Sequence, residues 1–210
     1  MVALITDPVL EKQLIAERQA AGADKYDEVW EGVYVMSPLA DDSHQGLVSD
    51  LTTVLTIAVH WAGLGRVRPG VNVSDREENW QSNYRCPDVV VFLKDTQAKN
   101  CGTHWFGGPD FAIEVVSKND RTLEKLPFYA SVGTRELLVI DRQPLSLTLY
   151  RLQDEELAKV GQSTHGDPAD LSSEVIPLSW QIVTEQGETV IAIRHQDGVQ
   201  QWTIPDAAQS

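Results

Sequence analysis

Two acidic residues stand beside apolar runs, where carboxylates are usually unfavourable. Asp88 directly precedes the apolar run "VVVFL" of residues 89–93. Glu114 interrupts a second apolar run, "FAIEVV". Short runs rich in β-branched residues predict strands in the interior of a sheet. A carboxylate next to a core needs a partner or a metal ion. Alternatively, Asp88 caps a turn after Pro87, and Glu114 pairs with a buried arginine.

The two carboxylates converge at one end of the sheet if the two predicted strands are neighbours. Two close carboxylates repel each other, which favours a bound cation between them. Mg²⁺ suits such a site because it prefers oxygen ligands from one or two carboxylates, water and phosphate; Mn²⁺ is a plausible substitute. A metal ion held there could activate water for hydrolysis of a phosphodiester. A nearby lysine, Lys118 or Lys125, could orient that water or screen developing charge.

The remaining pattern predicts the elements that position these residues. Helices are expected over residues 8–21, 43–61 and 122–132, the first beginning at Pro8. Strands are expected over residues 29–36, 66–73, 89–93, 111–116, 136–141 and 145–152, with hairpins over 179–205. This order predicts an α/β fold with a central mixed β-sheet flanked by helices and with C-terminal β-hairpins. We expect a single domain over residues 1–210, with a core over about 29–152 and a β extension over about 171–205.

Composition and charge limit the classes of function. The net charge of −14 argues against the broad basic surface of a non-specific nucleic-acid binder, although it leaves room for a local basic patch. The two cysteines are too few for a disulfide framework and lack the spacing of a zinc site. No apolar run reaches the roughly 20 residues of a membrane span. The N-terminal residues also lack the features of a signal peptide, so we expect a cytoplasmic protein without membrane contact.

Several motifs together resemble a known group of nucleases. The segments "PDVVVF" and "FAIEVVSK" are followed by "EKLPFYASVGTRELLVID", and "WEGVYVMSP" and "HQGLVSDL" precede them. In this order and spacing they resemble the PD-(D/E)XK nuclease superfamily and, more narrowly, its Uma-type family of restriction-endonuclease-like proteins. The resemblance implies a restriction-endonuclease-like sheet, a Mg²⁺ ion held by Asp88 and Glu114, double-stranded DNA as substrate, and a homodimer.

The lysine of the superfamily motif is displaced in this chain. Its usual place, two residues after the glutamate, is taken by Val116. In the Uma-type family the lysine has moved to the following helix, and Lys125 matches that position, four residues before Tyr129. Lys118 is the alternative, since it lies closer to Glu114 in sequence.

Two further residues are candidates from the same resemblance. Many relatives carry a glutamate directly after the glycine of "WEGVYVMSP". This chain has Val33 at that position, and its glutamate, Glu31, precedes the glycine. On one strand Glu31 and Val33 would share a face, so Glu31 is a candidate third acid. His44 is a candidate site residue that lines the site or orients a water molecule. Alternatively, it is a residue at the start of a helix whose side chain hydrogen-bonds to the backbone.

These observations favour a Mg²⁺-dependent endonuclease that hydrolyses DNA. One alternative is a binding or regulatory protein that has kept the fold and lost the chemistry, which Val116 and the acidic charge favour. Another is a phosphodiesterase acting on RNA or on a small substrate. A basic groove around the carboxylates would favour a long nucleic acid, and the candidates for such a groove are Arg66, Arg68, Arg85 and Arg121.

Overall fold

The computed structural model describes residues 7–37, 40–117 and 121–205. Its helices are α1 (Pro8–Ala20), α2 (Asp42–Leu55) and α3 (Leu126–Ser131). Its strands are β1 (Glu28–Trp30), β2 (Val33–Val35), β3 (Gly65–Pro69), β4 (Val73–Ser74), β5 (Tyr84–Arg85), β6 (Val89–Leu93), β7 (Lys99–Asn100), β8 (Trp105–Phe106), β9 (Phe111–Val115), β10 (Glu136–Arg142), β11 (Leu145–Gln153), β12 (Glu156–Thr164), β13 (Leu171–Ser172), β14 (Leu178–Glu185), β15 (Glu188–His195) and β16 (Gln201–Pro205). A π-helical turn (Thr56–Trp61) extends α2, and 3₁₀ turns cover Trp80–Ser82 and Thr122–Lys125.

A six-stranded mixed sheet in the order β12-β11-β10-β9-β6-β3 forms the centre of the structure. Strands β9 and β10 are parallel, and the other neighbours are antiparallel. The short strands form a second sheet, β2-β1-β5-β4-β8-β7, and the C-terminal strands form an antiparallel sheet, β13-β14-β15-β16. The predicted α/β fold class, with a mixed sheet and C-terminal hairpins, is therefore confirmed.

Burial explains why the sheet forms from these residues. One face packs against α2 and the C-terminal sheet, where Phe111 stacks on Trp180 with 5.1 Å between ring centroids. The opposite face packs against α3 and the second sheet, where Phe92 stacks on Trp105 at 3.6 Å. All five residues of β9 are buried, as expected for a strand covered on both faces.

Several predicted elements need correction. Residues 29–36 do not form one strand but the hairpin β1–β2, because Glu31 and Gly32 both adopt positive φ and make a turn. The strand predicted over residues 66–73 divides into β3 and β4, and the helix predicted over 122–132 begins as a 3₁₀ turn. Strand β12 was not predicted. No helix within the described ranges is long and apolar enough to cross a membrane.

Candidate active site

Asp88 and Glu114 occupy facing positions on neighbouring antiparallel strands. The register of β6 and β9 pairs Val89 with Ile113 and Val90 with Ala112. Extending that register by one residue places Asp88 opposite Glu114, on the sheet face that Val90 and Ala112 also share. The predicted neighbourhood of the two strands is thus confirmed, and the two acidic residues lie at the same end of the sheet.

Hydrogen bonds fix the position of Asp88. Its Oδ2 accepts a hydrogen bond of 2.7 Å from the backbone N–H of Val115, across the strand pair. Its Oδ1 lies 3.3 Å from His44 Nε2. Its backbone carbonyl accepts a 3.0 Å bond from the N–H of Gly70, which follows β3. Asp88 therefore joins three elements, α2, β9 and the end of β3.

Gly70 is required where the chain passes Asp88. Its φ is +56°, a left-handed conformation that favours glycine. A Cβ atom there would meet Cε1 of the Tyr26 ring at 3.0 Å, so a side chain would displace the tyrosine or the backbone. The Gly70 N–H links the end of β3 to the carboxylate-bearing strand through the Asp88 carbonyl.

Glu114 is buried among polar partners from the segment 122–131. Its carboxylate accepts hydrogen bonds from Lys125 Nζ at 3.1 and 3.2 Å and from the hydroxyl of Tyr129. Burial raises the pKa of Glu114 to about 8; the charges of Asp88 and Glu28 raise it too, and Lys125 opposes them. The negatively charged form of Glu114 is therefore unfavourable unless a cation lies close to it.

Lys125 lies between two buried carboxylates. Its Nζ is 3.0 Å from Glu28 Oε1 and 3.1 Å from Glu114 Oε1, and the lysine itself is buried. It reaches this position because the 3₁₀ turn ends at Lys125, directly before α3, which has Pro127 in its first turn. Pro is well suited to the start of a helix, so the turn and helix hold the lysine above β9.

Glu28 is the acidic residue that the sequence reasoning missed. Its Oε1 accepts a 2.8 Å hydrogen bond from the N–H of Cys86, and its Oε2 accepts one of 2.6 Å from Trp30 Nε1. A signal was present, because Glu28 directly precedes an apolar strand residue, as Asp88 does. Glu28 was missed because the predicted strand began at Val29 and continued through Glu31.

The other candidates have different outcomes. Glu31 lies in the exposed turn between β1 and β2, where its N–H donates to Asn83 Oδ1 at 3.0 Å. Its carboxylate makes no hydrogen bond or ion pair with any described residue, and within the described part of the chain it does not form a group of three metal-ligating side chains with Asp88 and Glu114. The face-sharing argument for Glu31 and Val33 is wrong because a turn separates them. Lys118 lies outside the described residues.

His44 contacts Asp88 through its side chain. The helix α2 begins after Asp41, whose Oδ1 accepts the His44 N–H at 2.7 Å, so Asp41 caps the helix. Burial lowers the pKa of His44, but the hydrogen bond and the charge of Asp88 raise it, and the net direction is upward. His44 Nδ1 is buried without a hydrogen-bond partner among the described residues. The ring therefore supports Asp88 on the side of α2.

The residues that could hold a divalent cation are the pair Asp88 and Glu114, and both oxygens of Glu114 already accept hydrogen bonds from Lys125. Within the described part of the chain, no group of three or more His, Cys, Asp or Glu residues is arranged to hold a metal ion. A carboxylate has about four lone-pair sites, and Asp88 uses two of them for Val115 and His44. Two protein carboxylates, completed by water and phosphate, are what Mg²⁺ commonly takes.

Comparisons with known proteins give a family and a related fold. A model of the family Uma2, described as "Putative restriction endonuclease", matches residues 16–185. The crystal structure of a "putative nuclease belonging to DUF820" from Anabaena variabilis aligns with a TM-score of 0.54 and 18% identity, over 70% of this chain and 80% of that chain. At that identity the likeness concerns the fold. None of the curated proteins matches the chain.

Proposed function

Because the chain belongs to the Uma2 restriction-endonuclease family, we propose that it is a metal-dependent endonuclease that hydrolyses phosphodiester bonds in DNA. One observation carries the proposal. Asp88 and Glu114 face each other on neighbouring strands, and Lys125 Nζ lies 3.1 Å from Glu114. Paired carboxylates with an adjacent ammonium group are suited to binding a cation and an anionic substrate together.

In this proposal Asp88 and Glu114 hold Mg²⁺, with Mn²⁺ as a substitute. When bound, such an ion supplies Lewis acidity at the phosphate and lowers the pKa of water. The chain contributes orientation: the Val115 N–H and His44 fix Asp88, and Tyr129 fixes Glu114. These contacts keep both carboxylates in place before substrate arrives.

Lys125 is assigned the role of the site's cationic donor. Glu28 and Glu114 hold it from two sides, which restricts the four-carbon stem of the side chain. From this position its positive charge can stabilise the negative charge that develops on the attacking water or on a phosphate oxygen. Glu28 then acts as a positioning residue for Lys125.

A homodimer would suit this activity on double-stranded DNA. Each site as described can attack one strand, and cleavage of a duplex requires both strands to be attacked. Two copies related by a two-fold axis would present two such sites to the two antiparallel strands. The dimer is part of the proposal and is tested separately by the molar mass in solution.

The substrate panel that tests the proposal combines four substrates with three metal conditions. Supercoiled plasmid, single-stranded DNA, RNA and bis(p-nitrophenyl) phosphate are each incubated with wild-type protein in Mg²⁺, Mn²⁺ or EDTA. We expect nicking or linearisation of the plasmid with Mg²⁺ and with Mn²⁺, and no product in EDTA. Cleavage of plasmid in EDTA would contradict the metal dependence.

The panel also separates the alternative functions. Preferential cleavage of RNA or of the small diester would replace DNA as the substrate class. Absence of product from every substrate, together with metal binding at Asp88 and Glu114, would favour a binding protein on the same fold. The site's geometry would then serve recognition rather than hydrolysis.

A further inference from the structure

Most arginines of this acidic chain are neutralised by carboxylates. Seven of the ten make ion pairs: Arg18, Arg76, Arg121, Arg135, Arg142, Arg151 and Arg194. Among the described residues, Arg66, Arg68 and Arg85 make none. Arg85 is buried, with its guanidinium 4.6 Å from the Trp30 ring centroid and 4.2 Å from that of Phe128. Arg66 and Arg68 are therefore the exposed arginines that lack a carboxylate partner within that part of the chain.

Both arginines lie on β3, the edge strand of the central sheet, two residues apart. Between them Val67 is buried in the core beneath α2, so Arg66 and Arg68 face the opposite side. The register pairs Arg66 with Phe92 and Arg68 with Val90. Val90 shares its face with Asp88, two residues away. The arginines thus line the edge of the face that carries the candidate active site.

The spacing along β3 relates the arginines to the carboxylates. Gly70, two residues beyond Arg68, donates its N–H to the Asp88 carbonyl at 3.0 Å. At about 3.3 Å per strand residue, Arg68 and Arg66 lie about 7 and 13 Å along the edge from that point. Nucleotides of one DNA strand advance about 3.4 Å along the axis. On a duplex whose axis runs along β3, the two side chains would be about two and four nucleotides from a phosphate at the carboxylates.

We infer that Arg66 and Arg68 form a phosphate-binding edge that holds the nucleic-acid backbone beside the active site. The inference rests on the proposed function. It assigns Arg66 and Arg68 as the residues that contact the substrate on one side of the scissile bond. With a net charge of −14, the chain has no general attraction for polyanions, so binding depends on local cations. Arg68 Nη1 donates to the Val67 carbonyl at 2.7 Å, which leaves its other donors for phosphate.

The wider groove expected from sequence is not assembled. Arg85 is enclosed between aromatic rings, and Arg121 forms a two-bond ion pair with Glu124 while stacking 4.5 Å over Trp30. Only the two arginines of β3 remain available for phosphate among the four candidates. An alternative role for them is protection of the exposed sheet edge, since charged residues there discourage pairing with another chain.

The test compares two double variants that remove the same charge. R66Q/R68Q changes β3, whereas K159Q/R194Q changes exposed residues of β12 and β15 that lie away from the carboxylates. Binding of a fluorescein-labelled DNA duplex is followed by anisotropy in EDTA, so that no cleavage occurs, at several salt concentrations. We expect R66Q/R68Q to bind at least about tenfold more weakly at 0.1 M salt. The slope of log K against log salt should fall by about 2, and the control should match wild type.

Three outcomes would overturn the inference. These are unchanged affinity and slope in R66Q/R68Q, equal losses in both double variants, or no binding of duplex by the wild type. Unchanged binding together with larger oligomers of R66Q/R68Q would assign the arginines to edge protection. Calorimetry of Mg²⁺ on the same proteins separates this failure from failure of the proposed function. Metal binding that survives in R66Q/R68Q leaves the carboxylate site intact whatever the arginines do.

Discussion

Replacing Glu114 with glutamine should lower the rate of DNA cleavage by about 10³-fold or more. Glutamine keeps the size of the side chain and one oxygen for the Tyr129 and Lys125 contacts, but it removes the charge that holds a cation. Lewis-acid stabilisation by a bound metal is worth several kcal/mol, and each 1.36 kcal/mol corresponds to a factor of ten. The rate of plasmid nicking under single-turnover conditions with Mg²⁺ measures the effect.

The matched control for that experiment is Glu156→Gln. Glu156 is exposed on β12 and makes no hydrogen bond or ion pair through its carboxylate with any described residue. The control should cleave at the wild-type rate, which shows that loss of a carboxylate alone is harmless. Circular dichroism checks that both variants are folded. A folded Glu114→Gln variant that cleaves as fast as wild type would remove Glu114 from the proposed metal site.

Replacing Lys125 with methionine should lower the free energy of unfolding by about 3–5 kcal/mol. Methionine fills a similar volume but leaves Glu28 and Glu114 buried without the ammonium group between them. Removing one partner of a buried ion pair carries a cost of this size, because the carboxyl groups that remain must either stay charged without a partner or bind a proton. Urea unfolding in metal-free buffer, followed by circular dichroism, measures the change.

Two further variants make the result specific to the Glu28–Lys125–Glu114 cluster. Lys159→Met on the exposed edge strand β12 should change stability by no more than about 0.5 kcal/mol. Adding Glu28→Gln to Lys125→Met should recover part of the loss, since it removes one of the two buried carboxyl groups that are left without a cation. A Lys125→Met variant as stable as wild type would show that the cluster does not hold Lys125 as described.

The core of the site was predictable because it follows from local pattern. The apolar runs after Asp88 and around Glu114 identify two buried strands, and the cost of burying carboxylates there points to a shared partner. Neighbouring strands then bring the two acids together. Lys125 was identified through the family resemblance, and the structure places its ammonium group beside Glu114.

The remainder depended on tertiary structure. Glu28 enters the cluster only because Glu31 and Gly32 turn the chain, and the alternating pattern of residues 29–36 reads equally well as one strand. Whether each of the four candidate arginines is available for phosphate depends on the carboxylates and aromatic rings that surround it in the folded structure. Strand β12 was missed because polar residues dominate this edge strand, in which two of the nine residues are buried.

Calorimetric titration of Mg²⁺ and Mn²⁺ tests the central claim most directly. Wild-type protein, Asp88→Ala, Glu114→Ala and the control Glu156→Ala are titrated, each with and without a short DNA duplex that can supply phosphate oxygens. The account predicts binding by wild type and by the control, and its loss in both Asp88→Ala and Glu114→Ala. Binding that is unchanged in those two variants would contradict the assignment of Asp88 and Glu114 as the metal ligands.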